Sequence, residues 1–157
     1  MTKLFQIVNE IFQYAEHGDG NWGEEATAWA EAVTNALNSV QGPNDILLAT
    51  ATLLNNQPTP VNVTNLSFNT SDVLSFEVDF FITRIFNDGS GEETITENGT
   101  LSANFNGTLW QTSASSVGDV GVDLTVNASG QVQYTSNDLT GHISSTMRYR
   151  GKTIDQA

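Results

Sequence analysis

The stretch that decides the fold is VLSFEVDFFITRIF, Val73 to Phe86. Leu74, Phe76, Val78, Phe80 and Ile82 fall at every second position, and Ser75, Glu77, Asp79 and Thr83 stand between them. Two is the side-chain period of a strand, because successive Cβ atoms point to opposite faces of the pleat. The segment therefore reads as a strand with one apolar and one polar face. DVGVDLTV, Asp119 to Val126, repeats the idea with Val120, Val122, Leu124 and Val126 inward.

Working outward, turn-forming clusters punctuate the chain at Asn87 to Gly91, Asn106-Gly107, Asn127 to Gly130 and Thr140-Gly141. The runs between them predict about eight strands, near 46–54, 61–68, 73–86, 92–105, 108–114, 119–126, 130–136 and 142–154. Eight short antiparallel strands in one domain are most simply closed as a sandwich of jelly-roll type. The second half is also dense in Asn, Thr, Ser, Gly and Val, a mixture that suits strands and tight turns.

Ahead of Pro43 the period is different. Leu4, Ile7, Val8, Ile11 and Ala15 recur at three-to-four spacing, with Phe5 and Phe12 beside them, and predict a helix over 3–16 stopped by Gly18. A second helix is predicted from about Trp22 to Val40, where Trp22, Ala26, Trp29, Val33, Ala36 and Val40 form a seam. Gly42-Pro43 ends it. The expected organisation is mainly β: an N-terminal anchoring segment of two helices over 1–43, then a jelly-roll sandwich over 44–157.

At 157 residues the chain can bury roughly 70% of its unfolded surface without a staple. The absence of cysteine removes disulfides, thiolate zinc sites and cysteine nucleophiles. A net charge of -13 with only five basic residues leaves no patch to hold a phosphate backbone, so nucleic acid is not an expected partner. No run reaches the length of a membrane span or has the continuous apolar stretch of a signal peptide, so synthesis in a cytoplasm is expected and no membrane partner. Six N-x-S/T triplets, at Asn62, Asn65, Asn69, Asn98, Asn106 and Asn127, read as a by-product of composition.

The catalytic inventory is thin. GDGNWGEE opens like a calcium loop at Asp19, but the sixth and twelfth loop positions hold Glu24 and Ala30 where Gly and a bidentate Glu are needed. Asn21 and Glu24 read instead as a capping box. His17 and His142 have no motif around them, and NDGSGEE, Asn87 to Glu93, lacks the lysine of a phosphate cradle. Glu92-Glu93 would need a cleft between the carboxylates to act as a glycosidase couple. No metal or cofactor is expected. Trp110 and Tyr134 are candidates for a sugar platform, with packing as the alternative. Arg148, Arg150 and Lys152 share one face of the last strand, where they either pair with Glu77 and Asp79 of a neighbouring strand or face acids of another copy.

Three segments, GDGNWGEEATAWAEAVTNALNSVQGPNDI, LLNNQPTPVNVTNLSF, and VGDVGVDLTVNASGQVQYTSNDLTG with STMRYRGKTI, together resemble small virion structural proteins of tailed bacteriophages, notably cyanophage-type ones. The resemblance covers residues 18 to 154. It implies a helical piece ahead of a β-sandwich used in capsid decoration (cement) proteins, head fibres and tail appendages. It further implies a non-enzymatic homotrimer on the exterior of the virion. The expectation is a trimeric decoration protein that stabilises the head through the major capsid protein or another virion protein. Its contacts would be Leu4, Phe5, Ile11, Phe12, Trp22 and Trp29, with Arg148, Arg150 and Lys152 between subunits. The alternative is a receptor-binding or structural module of a tail or head fibre that contacts host polysaccharide.

Overall fold

In the computed structural model, which describes residues 3–7, 10–14, 23, 26–33 and 42–156, every period-two segment after Pro43 is a strand. The strands are β1 (Lys3–Ile7), β2 (Glu10–Tyr14), β3 (Ile46–Thr52), β4 (Gln57–Ser67), β5 (Val73–Asn87), β6 (Glu92–Phe105), β7 (Trp110–Val117), β8 (Val122–Val126), β9 (Gln131–Ser136) and β10 (His142–Asp155). Contacts divide the chain into two units, Met1–Pro43 and Asn44–Ala157.

The first unit corrects one expectation. Of the helix expected over 3–16, residues 3–7 and 10–14 are strands instead: β1 and β2 pair antiparallel, with Phe5 opposite Phe12 and Leu4 opposite Gln13. KLFQI and EIFQY are rich in aromatic and β-branched residues, which fit a pleated surface better than a helical turn. The spacing of Leu4, Ile7 and Ile11 suits either geometry, and the cross-strand ladder decided it. Leu4, Phe5, Ile11 and Phe12 therefore sit on a strand pair. Of the second helix, residues 26–33 and Gly23 are helical, and the Thr27 hydroxyl donates to the Gly23 carbonyl at 2.9 Å. Trp22, the Asn21–Glu24 cap, His17, and the rest of that helix lie outside the described residues.

The second unit is a sandwich of two antiparallel sheets. The larger runs β3-β10-β5-β6-β7 and the smaller β4-β9-β8. Strands β5, β6 and β7 follow one another in sequence and in space, a meander that puts five strands on one side and three on the other. This order is not the jelly-roll arrangement expected from the strand count. Strand count and face alternation are local properties, whereas the partition between sheets is set by long-range pairing.

Between the sheets lies one continuous core. The larger sheet supplies Phe76, Val78, Phe80, Ile82, Leu101, Met147 and Tyr149, and the smaller supplies Val63, Leu66, Val122, Val132 and Tyr134. Each such side chain contributes roughly 1.5–3 kcal/mol when fully buried. Phe68, just after β4, stacks on Phe76 with ring centroids 3.9 Å apart, and Trp110 closes the row at 5.0 Å from Phe76 and 5.2 Å from Phe105.

Two tyrosines cross the core and satisfy backbone groups on the far side. The Tyr149 hydroxyl donates to the Thr64 carbonyl at 2.6 Å, and the Tyr134 hydroxyl accepts from the Leu54 amide at 2.8 Å. Gly99 is required by close approach: a Cβ there would strike the Ser115 carbonyl and the end of the Phe80 ring, which covers Gly99 from the paired strand. Gly130 is required by conformation, since its φ of 82° is left-handed and its carbonyl accepts from the Phe68 amide at 3.0 Å.

Candidate functional site

Two polar clusters compete for the role of a site. The first is buried. Arg84 falls on the inward face of β5, next in the alternation after Ile82, and is 1% exposed. Its Nε donates to the Ser145 hydroxyl at 3.1 Å, one terminal nitrogen to the Val120 carbonyl at 2.7 Å, and the other to the Asn137 carbonyl at 3.0 Å and to Asn55 Oδ1. Glu97 accepts from the Val120 amide at 3.2 Å, so both polar groups of Val120 end on buried charged side chains. Burial pulls the Arg84 guanidinium below its usual value, opposed by the charge of Asp138.

His142 Nε2 and the Ser145 hydroxyl lie 2.8 Å apart, a distance compatible with a nucleophile and its base. Ser145, however, is 1% exposed and already accepts from Arg84, so it has no face open to a substrate. The cluster fastens β5 and β10 to the loops that carry Asn55, Val120 and Asn137. Glu92 and Glu93 are neighbours on β6 and point to opposite faces of the sheet, so they cannot flank a single bond. Among the described residues no three acidic, histidine or cysteine side chains gather as metal ligands.

The second cluster lies on the outer face of the larger sheet. Arg148, Arg150 and Lys152 alternate along β10, and they are the exposed cations among the described side chains. Arg150 is opposite Asp79, Lys152 opposite Glu77, and Arg148 opposite Phe81. Arg150 Nε donates to Asp79 Oδ2 at 2.9 Å, and the Thr100 hydroxyl donates to Asp79 Oδ1 at 3.1 Å. Pairing within the chain thus holds for Arg150, while Arg148 has an aromatic ring across the ladder.

Leu48, Asp79, Phe81, Arg148 and Arg150 line a shallow recess of about 310 Å³ with Phe80 and Tyr149. Leu48 is 62% exposed and Phe81 43%. The pairing of β3 with β10 gains a residue between Ala49 and Ile46, and this bulge sets Leu47 and Leu48 side by side against Arg150.

Sequence reading found the cations but missed Phe81 and Leu48. The signal for Phe81 was present: it occupies the slot between Asp79 and Thr83 on the polar face of β5, where an aromatic ring breaks the pattern. Trp110 and Tyr134 are buried and belong to the core, which removes them as an exposed platform. Trp29 is exposed on the helix of the first unit. Three of the N-x-S/T triplets are turns whose Asn side chain accepts backbone amides, at Asn69, Asn106 and Asn127.

The Arg150 guanidinium bonded to Asp79 holds its carboxyl below the ordinary value of 3.8, with partial burial opposing and Thr100 assisting. A depressed carboxyl stabilises the fold above its unfolded pKa and loses that contribution as pH falls through the folded one. Because Arg150 is 60% exposed and Asp79 38%, the pair contributes only a few tenths of a kcal/mol. Asp79→Asn should therefore be less stable than the parent by about that amount at near-neutral pH, with the gap closing below about pH 3.8. Urea midpoints of both proteins across this range test it, and a gap that widens on acidification would contradict it.

No family model matches the chain, and no curated protein matches it. Among solved structures, the crystal structure of the Acinetobacter phage vB_ApiP_P1 tailspike protein is similar with a TM-score of 0.45 and 16% identity. The match covers 71% of this chain, which spans only 22% of the tailspike chain. Among the described residues no helix is long and apolar enough to cross a membrane.

Proposed function

We propose that this protein is a non-enzymatic structural module of a tailed-phage tail or head fibre, and that the outer face of its larger sheet contacts an acidic host polysaccharide. The observation that carries the reading is the recess in which Phe81, Arg148 and Arg150 meet. An aromatic ring offers a stacking face for a sugar, and a guanidinium offers paired donors for a carboxylate on it. The chain is strongly acidic elsewhere, so its exposed cations would give an anionic ligand one preferred place to land. The three segments that resemble virion proteins supply the phage context. A non-enzymatic role is supported by the buried cluster, whose Arg84, Glu97 and Ser145 are engaged with backbone and with each other.

Capsid decoration had its physical argument in two apolar-striped helices acting as an anchor. The first of these is a strand pair, and that argument falls with it. Immobilised surface polysaccharide from susceptible cells tests the fibre reading. The parent protein should bind, and Phe81→Ala and Arg148→Ala should each lose at least about tenfold in affinity with thermal midpoints unchanged. A parent protein that ignores the polysaccharide, or variants that bind as well as the parent, would sink it.

A further inference from the structure

We propose that β7 is an association edge at which a second copy of this chain adds to the larger sheet. A sheet edge presents unpaired N–H and C=O groups, and natural proteins blunt such edges with proline, charge, a bulge or shortness. Three of the four edges of the sandwich carry one of these devices. Strand β4 holds Pro58 and Pro60, β8 is five residues long and holds Asp123, and the ladder of β3 is broken by the bulge at Leu47 and Leu48. Strand β7 has none of them. Its sequence WQTSASSV contains neither charge nor proline, and its register with β6 runs unbroken from Trp110 to Val117.

The strand is also bare on both faces. After Trp110 every residue of β7 is exposed, including Thr112, Ala114 and Ser116 on the side that faces inward elsewhere in the sheet. The smaller sheet has three strands to the larger sheet's five, and the exposure of these residues shows this margin uncovered.

A second copy fits because the strand is self-complementary. In an antiparallel pair, hydrogen-bonded and non-bonded residue pairs alternate, so a twofold axis must pass through a residue facing itself. With that residue Ala114, Thr112 meets Ser116, Ser113 meets Ser115 and Gln111 meets Val117, and no charge meets its like. Copies carrying -13 each repel one another over most of their surface. The margin is where that repulsion is least. The outward residues of β6 beside it are Asn98, Thr100, Ser102 and Asn104; Asp119 stands two residues past the end of β7, and the next outward acids within the sheet, Glu77 and Asp79, lie on β5. Two strand spacings place them about 10 Å from β7, on the order of one screening length in physiological salt.

Sedimentation of the full chain tests the proposal. The parent should run at twice the monomer mass, and Ala114→Lys and Ala114→Glu should each run as monomers that keep the parent's far-UV circular dichroism and still unfold cooperatively. An equimolar mixture of the two variants should recover the dimer, because lysine then faces glutamate across the axis. A monomeric parent would overturn the proposal and leave the edge to an extended segment of another protein. An oligomer of any mass that neither substitution disturbs, or a mixture that stays monomeric, would overturn it equally.

Discussion

Arg84→Met lowers the stability of the sandwich by about 3–5 kcal/mol in urea unfolding. Methionine fills much of the same volume, so the loss is polar in origin. Arg84 satisfies the Val120 and Asn137 carbonyls, the Asn55 side chain and the Ser145 hydroxyl, all from a position closed to water. Removing the donors leaves the Val120 carbonyl buried without a partner, at a cost of roughly 1–3 kcal/mol, while Asn55 keeps the Leu139 amide, Asn137 the Asn56 amide and Ser145 the His142 ring. Loss of the charge-assisted bonds to the other three supplies the rest, reduced by relaxation of their loops toward water. Arg84→Lys should recover only part, since an ammonium cannot reach carbonyls that a planar fork spans. A loss below about 1 kcal/mol for Arg84→Met would mean that the cluster is wet in solution.

Arg84 also shows how far sequence alone reaches. Parity along β5 places it with Phe76, Val78, Phe80 and Ile82, so its inward position was readable, though nothing nearby in sequence named Asn55, Val120 or Asn137 as its partners. The same holds for the fold. The eight strands after Pro43 were legible because face alternation and turn chemistry are local. The order of strands was not, because the pairing of β3 with β10 and of β4 with β9 joins residues far apart in the chain. The N-terminal segment failed for another reason: Leu4, Ile7 and Ile11 satisfy a helical stripe, and only the opposition of Phe5 to Phe12 reveals the strands. In the candidate site, Arg148, Arg150 and Lys152 were legible as a stack, whereas Leu48 depended on a bulge that no local pattern announced.

Trp110→Ala lowers stability by about 3–5 kcal/mol and, under the fibre reading, leaves polysaccharide binding by the folded protein unchanged. Trp110 begins β7 and lies in tilted contact with Phe76 and Phe105, at the end of the aromatic row that Phe68 opens. Truncation would remove the ring that closes this end of the core, and the β5 and β6 backbones are too well paired to collapse into the space. A sugar platform would give the reverse outcome, with lost binding at unchanged stability. One detail sharpens the test. The indole Nε1 is buried without a hydrogen-bond partner among the described residues, so the native ring already bears a polar cost that phenylalanine would not. Trp110→Phe should therefore cost well under half as much as Trp110→Ala, since most of the apolar contact is kept and an unpaired N–H is removed. Equal losses for the two substitutions would show that the indole nitrogen has a partner in solution and that Trp110 holds its place by a polar bond as well as by packing.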